Sequence, residues 1–277
     1  MSQPDYKRTT LIVPHKGLAG LNLAEIWEYR ELLYFLTWRD IKVRYKQTVI
    51  GILWVLLQPL LTTVIFTIIF STFARFETVN VPYPVFALSG LIIWLFVHGS
   101  VTMAALSFVN NPTFVTKVYF PRLIVPVAAS VAGAFDLIFS LVVLAGMLAW
   151  YRVVPAASIL LVPLFLVMGV LLSVAVGTLF SALNVRFRDV KFALPFILQV
   201  WMIASPLFYP STLVAESWRY IYAINPMVGI VEGFRSSIFG TPFDWPVIGV
   251  SAASLAVLLV FSLFTFSWLE DKFADVI

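Results

Sequence analysis

"TWRDIKVRYKQTVIGILW", Thr37–Trp54, sets a cluster of charges against a stretch that has none. Arg39, Asp40, Lys42, Arg44 and Lys46 all precede Gln47, and the 28 residues from Gln47 to Ala74 carry no charge. About 20 apolar residues suffice to cross the ~30 Å hydrocarbon core of a bilayer. The boundary at Gln47 therefore reads as the start of a membrane span with a basic segment before it. Charge-free or nearly charge-free runs recur at 78–116, 123–151 (with Asp136), 153–185, 192–215 and 245–269. Backbone polar groups must be satisfied internally at that depth, and the runs do not alternate as barrel strands do, so they predict helices.

Composition agrees. Of 277 residues, 61% are hydrophobic and 12% charged, and the mean hydropathy is +0.97. A soluble domain carries about 25% charged residues, so lipid must be much of this chain's solvent. The expected fold class is an all-α integral membrane protein with six transmembrane helices. The spans are expected at about 49–73, 84–109, 123–149, 157–182, 192–210 and 247–268. Residues 1–48 form a cytoplasmic segment, 49–269 the membrane domain and 270–277 a cytoplasmic tail. With both termini inside, only Arg75, Arg152, Arg219 and Arg235 of the 18 Lys and Arg fall outside, as the positive-inside bias requires. That topology accounts for the net charge of +4 without nucleic acid. The first apolar run begins too late for a secretory signal, so none is expected. The chain has no cysteine, which excludes disulfides and thiolate metal sites.

Three segments between the runs are more than plain loops. Across Glu25–Lys46, Trp27, Tyr34, Trp38, Ile41 and Tyr45 recur at helical spacing, with Arg39, Lys42 and Lys46 on another face. This pattern predicts an amphipathic helix in the membrane interface. It either only anchors the first span or also docks a cytoplasmic partner. Asn110–Pro126, "NNPTFVTKVYFPRLIVP", predicts a short helix that starts near Pro112 and ends at Pro121. Ser205–Pro246 is too polar to span and too apolar for an ordinary loop. Its prolines leave short re-entrant helical pieces near Leu213–Ala223 and Pro226–Phe239, tolerated at depth only against protein or a wet cavity.

Enzymatic function is poorly supported by these residues. The spans hold only His98 and Asp136 as ionisable groups. Without a second acid or nucleophile they make a poor acid–base pair. Asp136 is expected to be a satisfied polar group at a helix–helix contact. His98 is expected at the interface near the outer end of the second span. No G-x-x-x-x-G-K-[ST] phosphate loop occurs, so the energy for active transport must come from another chain.

Leu32–Phe76 resembles the start of the type-2 ABC exporter permeases, above all the branch that exports lipid-linked polysaccharides: O-antigen, capsule or teichoic acid. The likeness continues in "KVYFPRLIVP", "NVRFRDVK", "SPLFYP" and "INPMVGIVEGFR". It implies two permeases working with two separate ATPase subunits, which bind the ATP and Mg; this chain itself holds no cofactor. Pro112–Arg122 resembles the coupling helix, with Pro112, Thr113, Phe114, Lys117, Tyr119, Phe120 and Arg122 facing the ATPase. Arg186, Arg188 and Asp189 resemble the second contact. Trp27, Trp38, Arg39, Lys42, Arg44 and Lys46 mark the interface helix, and the basic members stand where an anionic pyrophosphate head group of the substrate would arrive.

Aromatic rings offer sliding faces to sugar C–H groups, and the chain is 16% aromatic. The channel-lining candidates are Trp54, Phe66, Phe70, Phe196, Trp201 and Phe208, because the family's pathway resembles a path between spans one and five. The expected function is export of a lipid-linked, O-antigen-type glycan across a bacterial inner membrane. A same-family permease for teichoic acid, capsule or a small drug or lipid, and an integral-membrane sugar-modifying enzyme, remain the alternatives.

Overall fold

A computed structural model of the chain describes residues 27–46, 52–73, 81–111, 120–187, 189–270 and 273. Every regular element among them is helical. The α-helices are α1 (Arg30–Tyr45), α2 (Ile52–Phe66), α3 (Tyr83–Leu106), α4 (Ile124–Ala132), α5 (Ala134–Trp150), α6 (Val162–Arg186), α7 (Val190–Ile203), α8 (Arg219–Tyr222), α9 (Pro226–Phe239) and α10 (Trp245–Glu270). Among the described residues five helical stretches are long and apolar enough to cross a membrane: Leu53–Phe70, Tyr83–Leu106, Ile124–Trp150, Ala157–Arg186 and Trp245–Glu270. In the place of the fifth expected span stands α7, which has 14 residues. At 1.5 Å per residue it rises only about 21 Å.

The sequence explains the local geometry. Pro59 inside α2 removes the backbone donor to the carbonyl four residues earlier; the helix ends in a π-helical stretch over Thr67–Phe73. Gly133 joins α4 to α5 in right-handed helical geometry, so the two make one span. Asn225 caps α9 by accepting from the Met227 N–H at 3.1 Å, with Pro226 at the first helical position. Gly240 ends that helix at φ 71°, a conformation that costs glycine little.

The central helix is α3. Its most apolar window is 78% buried, against 11% for the Leu53–Phe70 stretch at the periphery. Small residues allow its neighbours to come close: a Cβ on Gly133 would run into Ser100 Oγ, and one on Gly177 would lie 2.6 Å from the Ala104 Cβ. Close backbone approach at small residues is the usual basis of helix association in lipid. The outer helices keep apolar faces bare, including Ile65 and Ile69 on α2 and Phe192, Phe196 and Val200 on α7.

The two ends of the bundle differ. One carries Arg122, Arg186 and Lys191 and is called the basic end below. At the other, the chain after α7 folds back as a hairpin. Ser251 Oγ donates to the Ala223 carbonyl at 2.8 Å, and Ser254 Oγ to the Ile224 carbonyl at 2.5 Å. These serines lie six and nine residues into α10, so the hairpin's apex dips about 9–14 Å along that helix. From the apex α9 climbs back, buried from Pro226 to Ile238 at nearly every position.

Candidate functional site

The first helix does not stay at the basic end. Tyr29 and Leu32 of this segment pack beside Phe108, Phe120 and Leu123 there, and Leu36, 2% exposed, packs on Ile124 and Ala128 of α4. The last turn of α1 then reaches Asp136, the thirteenth residue of the α4–α5 span, about 18 Å farther along. Arg44 and the Tyr45 hydroxyl both donate to the Asp136 carboxylate, and the Tyr45 ring lies against Phe135. Asp136 is thus an acceptor at a helix–helix contact 92 residues from its ion-pair partner. Burial, and next the hydrogen bond to Asp136, raise the Tyr45 hydroxyl from its usual 10 to about 12, so it remains a neutral donor at neutral pH.

Docked this way, α1 closes one side of a cavity of about 1080 Å³. Arg39, Asp40, Arg44 and Tyr45 line it from α1, Trp54, Gln58 and Pro59 from α2, and His98, Gly99, Ser100 and Thr102 from α3. Gly133, Asp136 and Ser140 complete the wall. Its charges are paired locally: Arg39 donates to Asp40 through Nε at 3.0 Å and Nη2 at 2.7 Å, and Arg44 to Asp136. His98, expected near the outer end of its span, is the sixteenth of 24 residues in α3 and lies past its middle toward the basic end. The helix register puts it in this wall, with Trp94 5.9 Å away.

The protein-family model described as ABC-2 type transporter matches residues 31–239. The chain belongs to the ABC-2 type transporter family. It is similar to the O-antigen export system permease protein RfbA of Klebsiella pneumoniae, with 27% identity over 89% of this chain and 95% of that protein. The protein of the same name from Myxococcus xanthus is 29% identical over 91% of this chain and 98% of its own length. The polysialic acid transport protein KpsM of Escherichia coli is 24% identical over 82% and 87%. As a member of a transporter family with five span-length helices, this is a multi-pass membrane protein.

The expected coupling residues of this ABC-2 chain are only partly visible. Pro112, Thr113, Phe114, Lys117, Tyr119 and Arg188 lie outside the described residues. Phe120 is 6% exposed, and Arg122 donates to the Glu270 carbonyl at 2.7 Å with its guanidinium 5.9 Å from the Phe273 ring. Arg186 lies over both Phe187 and Trp268, at 5.3 and 5.6 Å. Asp189 starts α7 through its backbone carbonyl, which accepts from Phe192 and Ala193. Among the interface-helix candidates, Trp27 and Trp38 are exposed, and Lys42 lies 5.4 Å from the Trp38 ring. Lys46 closes the helix with its N–H on the Lys42 carbonyl.

The six aromatic candidates separate into distinct environments. Trp54 faces the cavity and Phe196 is bare on α7. Phe66 stacks on Phe208 at 3.6 Å between centroids, and Phe70 lies parallel to both. Trp201 is held by its indole N–H on Asn225 at 2.9 Å and by an edge contact with Trp94. Phe66, Phe70, Phe208 and Trp201 therefore pack within the chain near the hairpin.

Sequence reasoning missed Arg235, counted there only as an outside charge. It is 3% exposed and donates to the carbonyls of Pro206, Leu207 and Phe86, at 2.6, 2.8 and 3.2 Å. It also meets Ser89 and Glu232, and lies 3.6 Å over the Phe86 ring. One side chain thus ties α3, the turn after α7 and α9 together. An arginine three residues after a glutamate in an otherwise apolar helix was the available signal.

Proposed function

We propose that this chain is the permease subunit of an ATP-driven exporter that moves a lipid-linked polysaccharide of O-antigen type out of the cytoplasm of a bacterial cell. Two copies of the chain work with two copies of a separate ATPase subunit, which binds ATP and Mg. The chain lies in the inner membrane with its basic end and both termini in the cytoplasm, an orientation supported by the positive-inside bias. The observation that carries this reading is near full-length similarity to exporters named for O-antigen and for polysialic acid. What those cargoes share is a long glycan.

The geometry supports the same reading. A glycan needs hydrogen-bonding groups and aromatic faces without strong net charge, and the cavity beside α1 offers both. The bare faces of α2 and α7 suit a second copy or lipid. Asp136 is committed to Arg44 and Tyr45, which removes it from the acid–base pair an intramembrane sugar-modifying enzyme would need. At the basic end, Arg122 couples the segment expected to meet the ATPase to the end of α10. The test is co-purification with a phosphate-loop ATPase, followed by measurement of ATP hydrolysis. Lipid-linked glycan should stimulate the complex; a chain that purifies without an ATPase and a complex indifferent to glycan would overturn the proposal.

A further inference from the structure

We propose that the cavity between α1, α2, α3 and the α4–α5 span is a binding site, one inside each subunit, for uncharged sugar residues. The identity of the ligand rests on the polysaccharide-export reading above; the site itself rests on geometry. The space, about 1080 Å³, lies just above the ~300–1,000 Å³ typical of small-ligand pockets, enough for a short run of sugars.

The chemistry of the wall selects the ligand. Two guanidinium groups and two carboxylates line it, and each cation is already bonded to an anion: Arg39 to Asp40, Arg44 to Asp136. A pyrophosphate would have to enter beside two carboxylates and break both pairs. Separating a partly desolvated pair leaves a charge uncompensated, which is costly. Sugar hydroxyls both donate and accept, so they can bind the outer lone pairs and N–H groups of intact pairs. The remaining wall suits them. Gln58 offers an amide, Trp54 a ring 55% exposed, and Thr102 and Ser140 hydroxyls that donate to their own helix and can still accept.

Ser100 in the same wall turns its Oγ against Gly133, away from the open space. Beside it, a Cβ on Gly99 would find no atom within 4 Å, so the α3 wall is open at that point. Asp136 is then a positioning residue: it neutralises Arg44 and holds α1 as one wall of the site. The anionic head group is left to Lys42 and Lys46, which do not line the cavity.

The absence of cysteine allows a direct test. Gly99→Cys and Gln58→Cys each place a single thiol in the wall, and Gly146→Cys on α5, also with open space around its Cβ, is the control. Each is assembled with the ATPase subunit in nanodiscs and treated with a maleimide. The probes are neutral fragments, two to four sugars long, of the source cell's own surface polysaccharide released by mild acid, and sodium pyrophosphate. Neutral fragments should slow modification of Gly99→Cys and Gln58→Cys at least about threefold, leave Gly146→Cys unchanged, and protect less well on a Gly99→Leu/Gln58→Cys double variant whose α3 wall is obstructed. Pyrophosphate should protect neither cavity thiol. Protection by pyrophosphate, or by neither probe, overturns the proposal. Export by the unmodified complex is measured alongside. Unprotected thiols with export intact reject the sugar site alone, whereas no polysaccharide export rejects the functional reading beneath it.

Discussion

Two arginines of this chain, Arg235 and Arg44, sit in opposite kinds of surroundings. Arg235, near the hairpin, is 3% exposed and spreads its donors over three carbonyls, a serine and Glu232, with Phe86 stacked against it. Arg44, beside the cavity, has a side chain 25% exposed and is tied to the carboxylate of Asp136. Many fixed acceptors around a desolvated cation make one end of the bundle a knot. A carboxylate shared with a tyrosine beside open space makes the middle of the α4–α5 span a joint. The difference suits a transporter that keeps its hairpin end assembled while α1 adjusts.

The largest effect is expected from undoing the knot. Arg235→Met should strand three buried carbonyls and cost about 3–5 kcal/mol, the usual consequence of breaking a buried charged network. Thermal unfolding in detergent and the amount of chain reaching the membrane measure it; a variant as stable as the parent would erase the contrast. Loosening the joint should cost less. Asp136→Asn removes a charged acceptor worth ~1.5–3 kcal/mol and should leave the chain inserted, with α1 more open to proteolysis at Lys42 and Lys46. Adding Arg44→Gln should restore most of that loss, since no charge is then left unpaired.

Tyr45→Phe should cost about 1 kcal/mol by deleting one hydrogen bond. Its pH dependence follows from the raised pKa. Folding favours the neutral phenol, so the contribution is full below pH 10 and is lost as pH climbs from 10 toward about 12. The parent and Tyr45→Phe should therefore differ in unfolding temperature at pH 8 and converge near pH 12. Smallest in stability, within ~0.5 kcal/mol, should be Lys42→Gln/Lys46→Gln. Loss of export with correct insertion would assign these lysines to head-group capture. Misinsertion would assign them to anchoring the first span.

How much of this was legible before the structure depends on the range of the interaction. Charge-free runs and helical periodicity are local, and from them the all-helical membrane class could be read directly. Pro226 to Phe239 was legible as a helix because prolines punctuate the segment around it; the Asn225 cap and the Gly240 end appear in the structure. Contacts across the chain left no such trace. Nothing local tells that Arg44 meets Asp136, 92 residues away, whereas the partner of Arg39 is its neighbour Asp40. The stack of Phe66 and Phe70 on Phe208 could not be foreseen, because a contact across 142 residues has no sequence signature. His98 was misplaced although its depth was legible: as the fifteenth residue of the expected span 84–109 it already falls past the middle, and the structure repeats that position in α3.

The most direct test is made in the source cell. Deleting the gene for this chain should strip polysaccharide from the cell surface and leave lipid-linked glycan inside, and restoring the chain should return the glycan to the surface. A deletion strain with unchanged surface polysaccharide and no internal lipid-linked glycan would contradict its role as an export permease.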